Sequence, residues 1–184
     1  MGKSTASAFL ARQRIPVFSA DAVVHDLLGP HGLAVGPVSA RFPGVSGPKG
    51  IDRAALGKAV FENPKVLAAL EAILHPMVKS ARARFFRAAA LQRRAIVAVE
   101  IPLLFETPQS DLFDMIIVVS APAFLQRQRA LRRPGMTPAR LTAILARQMP
   151  DSKKRRLADA VIPSGLGKRE TLRRLNRTLK IHSG

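Results

Sequence analysis

The sequence predicts an α/β fold, a parallel sheet flanked by helices, and three observations predict it. Four short runs rich in Val and Ile, within 15–21, 94–106, 114–122 and 159–164, are near-continuous rather than alternating, the pattern of strands covered on both faces. Stretches with apolar residues at helical spacing separate them, at 52–61, 64–74, 77–93, 121–132, 137–148, 152–158 and 168–180. The chain opens on Gly2-Lys3-Ser4-Thr5, ahead of a further helical pattern. Those four residues match the closing half of the phosphate-cradling pattern G-x-x-x-x-G-K-[ST].

Taken in order, residues 3–13 read as a helix that starts on hydroxyl residues and carries Ala6, Phe9 and Leu10 at helical spacing. "IPVFSAD" (15–21) is a short buried strand ending in polar residues, with Asp21 at its end. Residues 29–50 are dense in Gly and Pro and read as loop. The helical hairpin after it breaks at His75-Pro76, because proline is favoured at the first position of a helix. Ile96 to Ile101 is the strongest strand and is closed by Pro102. The span of about 75 residues between the first two strands exceeds what one crossover helix needs, so residues of about 50–93 are expected to form a helical insertion. Residues of about 122–148 carry Arg127, Arg129, Arg132, Arg133, Arg140 and Arg147 around a Pro134-Gly135 break, the composition of a mobile helical lid.

Composition bounds the function. At 184 residues and 47% hydrophobic, the chain fits one domain, 1–184, with a packed core. It has no cysteine, which removes disulfides, thiolate catalysis and cysteine zinc sites and fits a cytoplasmic protein. No window is long and apolar enough to span a membrane, and no secretory pattern opens the chain. The net charge of +18 attracts polyanions, nucleic acid and phosphorylated small molecules alike. A nucleic-acid-binding module would use exposed aromatic rings for stacking. Here there is no Trp or Tyr, and most of the nine Phe lie in apolar runs.

Several residues are placed for phosphoryl chemistry, each with a plainer alternative. In a phosphate loop Gly2 lets backbone N–H groups curl around phosphate, Lys3 reaches the β/γ-phosphates and a hydroxyl of Ser4 or Thr5 ligates Mg²⁺; otherwise the same residues merely cap a helix. Asp21, at the carboxyl end of a strand, faces the ligand crevice of such sheets and can take a proton from an attacking hydroxyl, or it can cap the next helix. Glu100 ends the strongest strand, which suits either Mg²⁺ binding or an ion pair with arginine. The arginines of 122–148 suit a lid over triphosphate or a solvated helix face. Glu106 reads as an ordinary loop acid.

Together the stretches "GKST", "PVFSADAVVH", "FPG", "IDRAALGKAVF", "LEAILHPMV", "EIPLLFET", "VVSAP", "QRQRALRRPGMT" and "ARQMPDSKKRRLADAVI" resemble the dephospho-coenzyme A kinase family, in the family's order and over almost the whole chain. "IPLLFE" and the paired "GMT…RQMPD" are the most specific of these. The resemblance implies a P-loop NTPase-type parallel sheet flanked by helices, similar to nucleoside monophosphate kinases, with the insertion binding coenzyme A and the lid bearing arginines. It implies transfer of the ATP γ-phosphate to the ribose 3′-hydroxyl of dephospho-coenzyme A. By position, it makes Gly2, Lys3, Ser4 and Thr5 the ATP loop, with Ser4 and Glu100 on Mg²⁺. Asp21 becomes the base, and Asp21, His75, Pro76 and Arg82 the acceptor site. Arg132, Arg133, Arg140 and Arg147 fall in the lid on ATP. The expected partners are ATP and dephospho-coenzyme A, without nucleic acid or membrane, in a monomer or small homo-oligomer.

The chain departs from the family pattern at Ser19, where the first aspartate of D-A-D belongs, and at Glu100, where an aspartate is usual. It also has no first half of the loop. The expectation is that about a dozen native residues precede Met1, a short strand and the loop's first glycine among them. The 184-residue form is then expected to bind ATP weakly and to be unstable. The rival readings are another nucleoside or nucleotide kinase, and a basic nucleic-acid-binding protein.

Overall fold

The computed structural model describes residues 2–106, 110–146 and 148–182. The chain forms two compact units, one of residues 1–14 and 101–184, the other of residues 15–100.

In the first unit, helix α1 (Lys3–Arg12) packs on α9 (Lys168–His182), and α9 lies on strand β6 (Ala160–Pro163). β6 pairs in parallel with β5 (Ile117–Ser120), in the register Ile117↔Ala160 to Ser120↔Pro163. Helices α6 (Ala123–Leu131), α7 (Pro138–Ala146) and α8 (Asp151–Leu157) come between β5 and β6 in the chain. A right-handed crossover through helices is the usual way to join parallel strands. Ala6, Ile162 and Leu175 form the core, with Phe9, Ile117, Val119 and Leu179 packed around them. Leu175 is only 1% exposed. Its burial stabilises the unit by about 1.5–3 kcal/mol.

In the second unit β1 (Val17–Ser19) pairs in parallel with β4 (Ala98–Glu100), in the register Val17↔Ala98 to Ser19↔Glu100. Between them run α2 (Ala20–Leu27), α3 (Val35–Arg41), the two-residue antiparallel strands β2 (Ser46–Gly47) and β3 (Gly50–Ile51), α4 (Arg53–Glu62) and α5 (Pro64–Leu91). Leu28, Val38, Phe42, Ile51, Leu56, Leu70 and Leu74 make its core. Local chemistry sets the helix starts. Asp52 accepts from the amides of Ala54 and Ala55 at 2.8 and 3.1 Å, and Asn63 accepts from Lys65 at 2.9 Å just ahead of Pro64. No helix among the described residues is long and apolar enough to cross a membrane.

Four expectations are corrected. Asp21 does not end the first strand: β1 stops at Ser19, and Asp21 sits exposed in the first turn of α2. The cap is Ser19, whose Oγ accepts from the Ala22 amide at 3.4 Å, so the short polar side chain ends the strand two residues early. His75-Pro76 is no junction either, since α5 runs through it for 28 residues. A mid-helix proline costs about 3 kcal/mol. Leu70 and Leu74, one turn before it, are buried in the core and carry the helix across. The Gly/Pro-rich stretch 29–50 is not all loop. α3 forms there because Val38 and Phe42, one turn apart, both reach the core. Finally, most residues of the four parallel strands are half-buried rather than covered on both faces, Phe18 and Ile162 being the apolar exceptions. Each strand of the two parallel pairs has a single paired neighbour among the described residues.

Candidate active site

Gly2 caps α1 in the left-handed region, at φ 102° and ψ −8°. Its carbonyl accepts from the Ala6 amide at 3.0 Å and so begins the helix. A Cβ at this position would lie 3.0 Å from Ser164 Cβ and 3.1 Å from Val119 Cγ1. Glycine is therefore required twice, by the positive φ and by the close approach. That approach seats the start of α1 against the carboxyl ends of β5 and β6. The first N–H groups of a helix lack intrahelical acceptors and carry the positive end of its dipole, which is chemistry suited to an anion. Lys3 and Thr5 are half-buried there and Ser4 is exposed.

The two strand ends are tied together beneath Gly2. Ser164 donates its amide to the Ser120 carbonyl at 2.6 Å and its Oγ to the same carbonyl at 3.0 Å. Arg129 of α6 donates to the Ser164 carbonyl at 3.2 Å. Ser120 Oγ donates to Asp151 at 2.7 Å, which fixes the start of α8 to the end of β5.

Of the arginines expected to form a lid, Arg132 closes α6 and Arg133 follows it, both exposed. Arg140 reaches back to the Gly135 carbonyl at 3.3 Å, across a turn in which Gly135 has φ 70°. Arg147, like Met1, lies outside the described residues. Arg129, which nothing in the run of arginines distinguishes from its neighbours, is tied to Ser164, the residue against which Gly2 is seated. Ser120 and Ser164 did carry a signal, since each ends a β-branched run with a small hydroxyl residue.

Glu106 is not an ordinary loop acid. Its Oε1 accepts from the Met149 amide at 2.7 Å and pairs with Lys154 Nζ at 2.8 Å. The side chains of Glu106 and Lys154 are only 17% and 16% exposed. Oε2 is buried and has no hydrogen-bond partner among the described residues. Burial pushes this carboxyl up, but the Lys154 and Met149 hydrogen bonds and the Lys154 charge outweigh it and hold it below the usual carboxylate range.

In the second unit the strand register sets Ser19 directly opposite Glu100, with Asp21 two residues on. One helical turn beyond Asp21, His25 accepts through Nδ1 from the Arg53 guanidinium, a pair with no signal in the sequence. His75 and Arg82 are seven residues apart on α5 and so share one face, roughly 10 Å apart along the axis. His75 and Pro76 are exposed, whereas Arg82 is half-buried. The structure thus places Gly2 to Thr5 with Arg132, Arg133 and Arg140 in one unit, and Asp21, Glu100, His75, Pro76 and Arg82 in the other.

A glycine-led helix start against the carboxyl ends of parallel strands defines the class: an α/β fold of the P-loop type. The family model for dephospho-CoA kinase (CoaE) matches residues 1–167. The dephospho-CoA kinase of Rhodospirillum rubrum is 54% identical over 180 residues, which cover 97% of this chain and 85% of that protein. That of Paramagnetospirillum magneticum is 52% identical over 155 residues, 84% of this chain and 73% of its own. Among solved structures, the dephospho-CoA kinase of Campylobacter jejuni superposes with a TM-score of 0.71 at 25% identity, covering 99% of this chain and 92% of that one. A Thermus thermophilus protein superposes with a TM-score of 0.79 at 30% identity, covering 98% and 91%. This chain belongs to the dephospho-CoA kinase family.

Proposed function

We propose that Gly2-Lys3-Ser4-Thr5 holds ATP while Asp21 takes the proton of the attacking hydroxyl, in the ATP-dependent phosphorylation of dephospho-coenzyme A at its ribose 3′-hydroxyl that gives coenzyme A. The observation that carries it is Gly2, held left-handed and flush against Val119 and Ser164 at the head of α1. In that position the amides of the first turn would donate to a phosphate, and Lys3 would neutralise the β/γ charge.

The bond formed joins the acceptor oxygen to the γ-phosphorus, and the bond broken is that to the β,γ-bridging oxygen, with ADP leaving. The proton goes to the Asp21 carboxylate, exposed in the first turn of α2. Residues 122–148 act as a lid, with Arg132, Arg133, Arg140 and Arg147 neutralising charge on the transferred group. Residues of about 50–93 bind the acceptor, with His75, Pro76 and Arg82 facing it from α5. Mg²⁺ would enter together with ATP. No cluster of three or more His, Asp or Glu among the described residues would hold a metal alone, which fits an ion that takes most of its ligands from phosphate and water. Ser4 and Glu100 are the residues that would complete its shell, and the ion would neutralise triphosphate charge there. The enzyme works as a monomer or small homo-oligomer in the cytoplasm, without nucleic acid.

Two substitutions test the assignment. Asp21→Asn should lower turnover by about 10²–10⁴-fold with ATP affinity nearly unchanged. Lys3→Met should weaken ATP binding as well as turnover. Unchanged turnover in Asp21→Asn would remove that residue from the base role.

A further inference from the structure

Two sequence motifs remain without a task in this chemistry: the glutamate that ends "IPLLFE" and the "QMPD" that joins α7 to α8. The structure ties one to the other. Glu106 takes the Met149 amide at 2.7 Å, and that amide stands immediately before Pro150, which has no N–H of its own to offer. Pro150 then caps α8, its carbonyl accepting from the Lys153 and Lys154 amides at 3.0 and 3.1 Å. This first turn brings Lys154 back onto Glu106 at 2.8 Å. Asp151, between the two contacts, accepts from Ser120 at the end of β5 at 2.7 Å. The segment leaving α7 is therefore clamped twice within three residues, once on a half-buried carboxylate and once on the strand end beside Gly2.

We propose that Glu106 is a positioning residue for ATP: through the Met149 amide and Lys154 it fixes the root from which the α6–α7 lid swings over the phosphate loop. This rests on the reading of 122–148 as a lid. A loop acid with a merely structural role would be served by any neutral hydrogen-bond acceptor. A lid root that must return to one position is better served by a half-buried ion pair whose geometry admits few alternatives, with the backbone amide as a third fixed point.

The test uses the full chain and steady-state kinetics in both substrates. Glu106→Gln keeps an acceptor for Met149 and loses the ion pair. It should raise the KM for ATP about 10-fold and leave the KM for dephospho-coenzyme A within about 2-fold. Lys154→Met should do the same. The double variant should lose no more than either single one, because both remove the same pair. The Met149 amide should exchange hydrogen faster in Glu106→Gln than in the parent. A fall in turnover with both KM values unchanged would mean less folded enzyme rather than a displaced lid, and would overturn the proposal; so would single effects that multiply in the double variant. If Glu106→Gln does not fold, the double variant, which leaves no unpaired charge, is the one measured, and its failure to fold would also overturn it. Parent enzyme whose residues 122–146 gain no protection from Mg·ATP would refute the lid itself. Protection there, with an unchanged ATP KM in Glu106→Gln, would refute the positioning role alone.

Discussion

Replacing Gly50 by alanine places a methyl group where the structure has backbone. Gly50 lies in β3 with φ 90°, and its neighbour Ile51 donates to the Leu28 carbonyl at 2.9 Å, so the strand is pressed onto the end of α2. A Cβ there would stand 2.5 Å from the carbonyl carbon and oxygen of Gly29 and from the Leu28 oxygen. None of these is the free end of a side chain, so relief requires moving main chain. The positive φ costs a non-glycine residue about 1–3 kcal/mol, and forcing a methylene into a packed site typically costs about 1–3 kcal/mol more. The sum, about 2–6 kcal/mol, is a large share of a typical net stability of about 5–15 kcal/mol. With a urea slope of about 2 kcal/mol/M, the unfolding midpoint followed by far-ultraviolet circular dichroism should fall by about 1–3 M. Gly57→Ala is the control: that glycine lies inside α4 with open space where its Cβ would go. Alanine there should gain about 0.5–1 kcal/mol. A Gly50→Ala midpoint within about 0.3 M of the parent would refute the steric argument.

Other outcomes follow from the same geometry. Gly2→Ala should weaken ATP binding measured by titration calorimetry, because its methyl would displace the head of α1 from Ser164 and Val119; parent-like affinity would detach Gly2 from the phosphate seat. Hydrogen exchange over 122–146 should slow with Mg·ATP as the lid closes, and equal exchange in both states would argue against closure. The Glu106 carboxyl titrates below its ordinary value, so the stability it confers is complete above the unfolded-chain value of about 4.3 and is lost as pH falls through the lower folded value. Acidification from about pH 6 to pH 3 should therefore cost the parent more stability than Glu106→Gln; equal losses would contradict the depressed titration.

The four parallel strands, and most of the helices flanking them, were legible because each is a run of one kind: Val118 to Ser120 and Ala160 to Ile162 are too apolar and β-branched for anything but a strand. The glycine cap of α1 was legible because Gly2 stands directly ahead of a helical pattern, and the proposed phosphate role rests on glycine, lysine and hydroxyls being adjacent in sequence. Pro76 misled, since proline marks a helix start by local rule while Leu70 and Leu74 override it through tertiary packing. Asp21 was placed on the wrong element because Ser19 and Asp21 are both good caps, and which one ends the strand is a matter of two residues. Glu106 could not be read at all. Its meaning lies in Met149 and Lys154, 43 and 48 positions away, and a long-range pairing leaves no local pattern.

The most direct measurement incubates the full chain with Mg·ATP and a panel of acceptors: dephospho-coenzyme A, nucleosides and nucleoside monophosphates. ADP should form with dephospho-coenzyme A, together with a product carrying one new phosphate on the ribose 3′-oxygen. Phosphorylation of a nucleoside monophosphate with dephospho-coenzyme A left untouched would contradict the assignment.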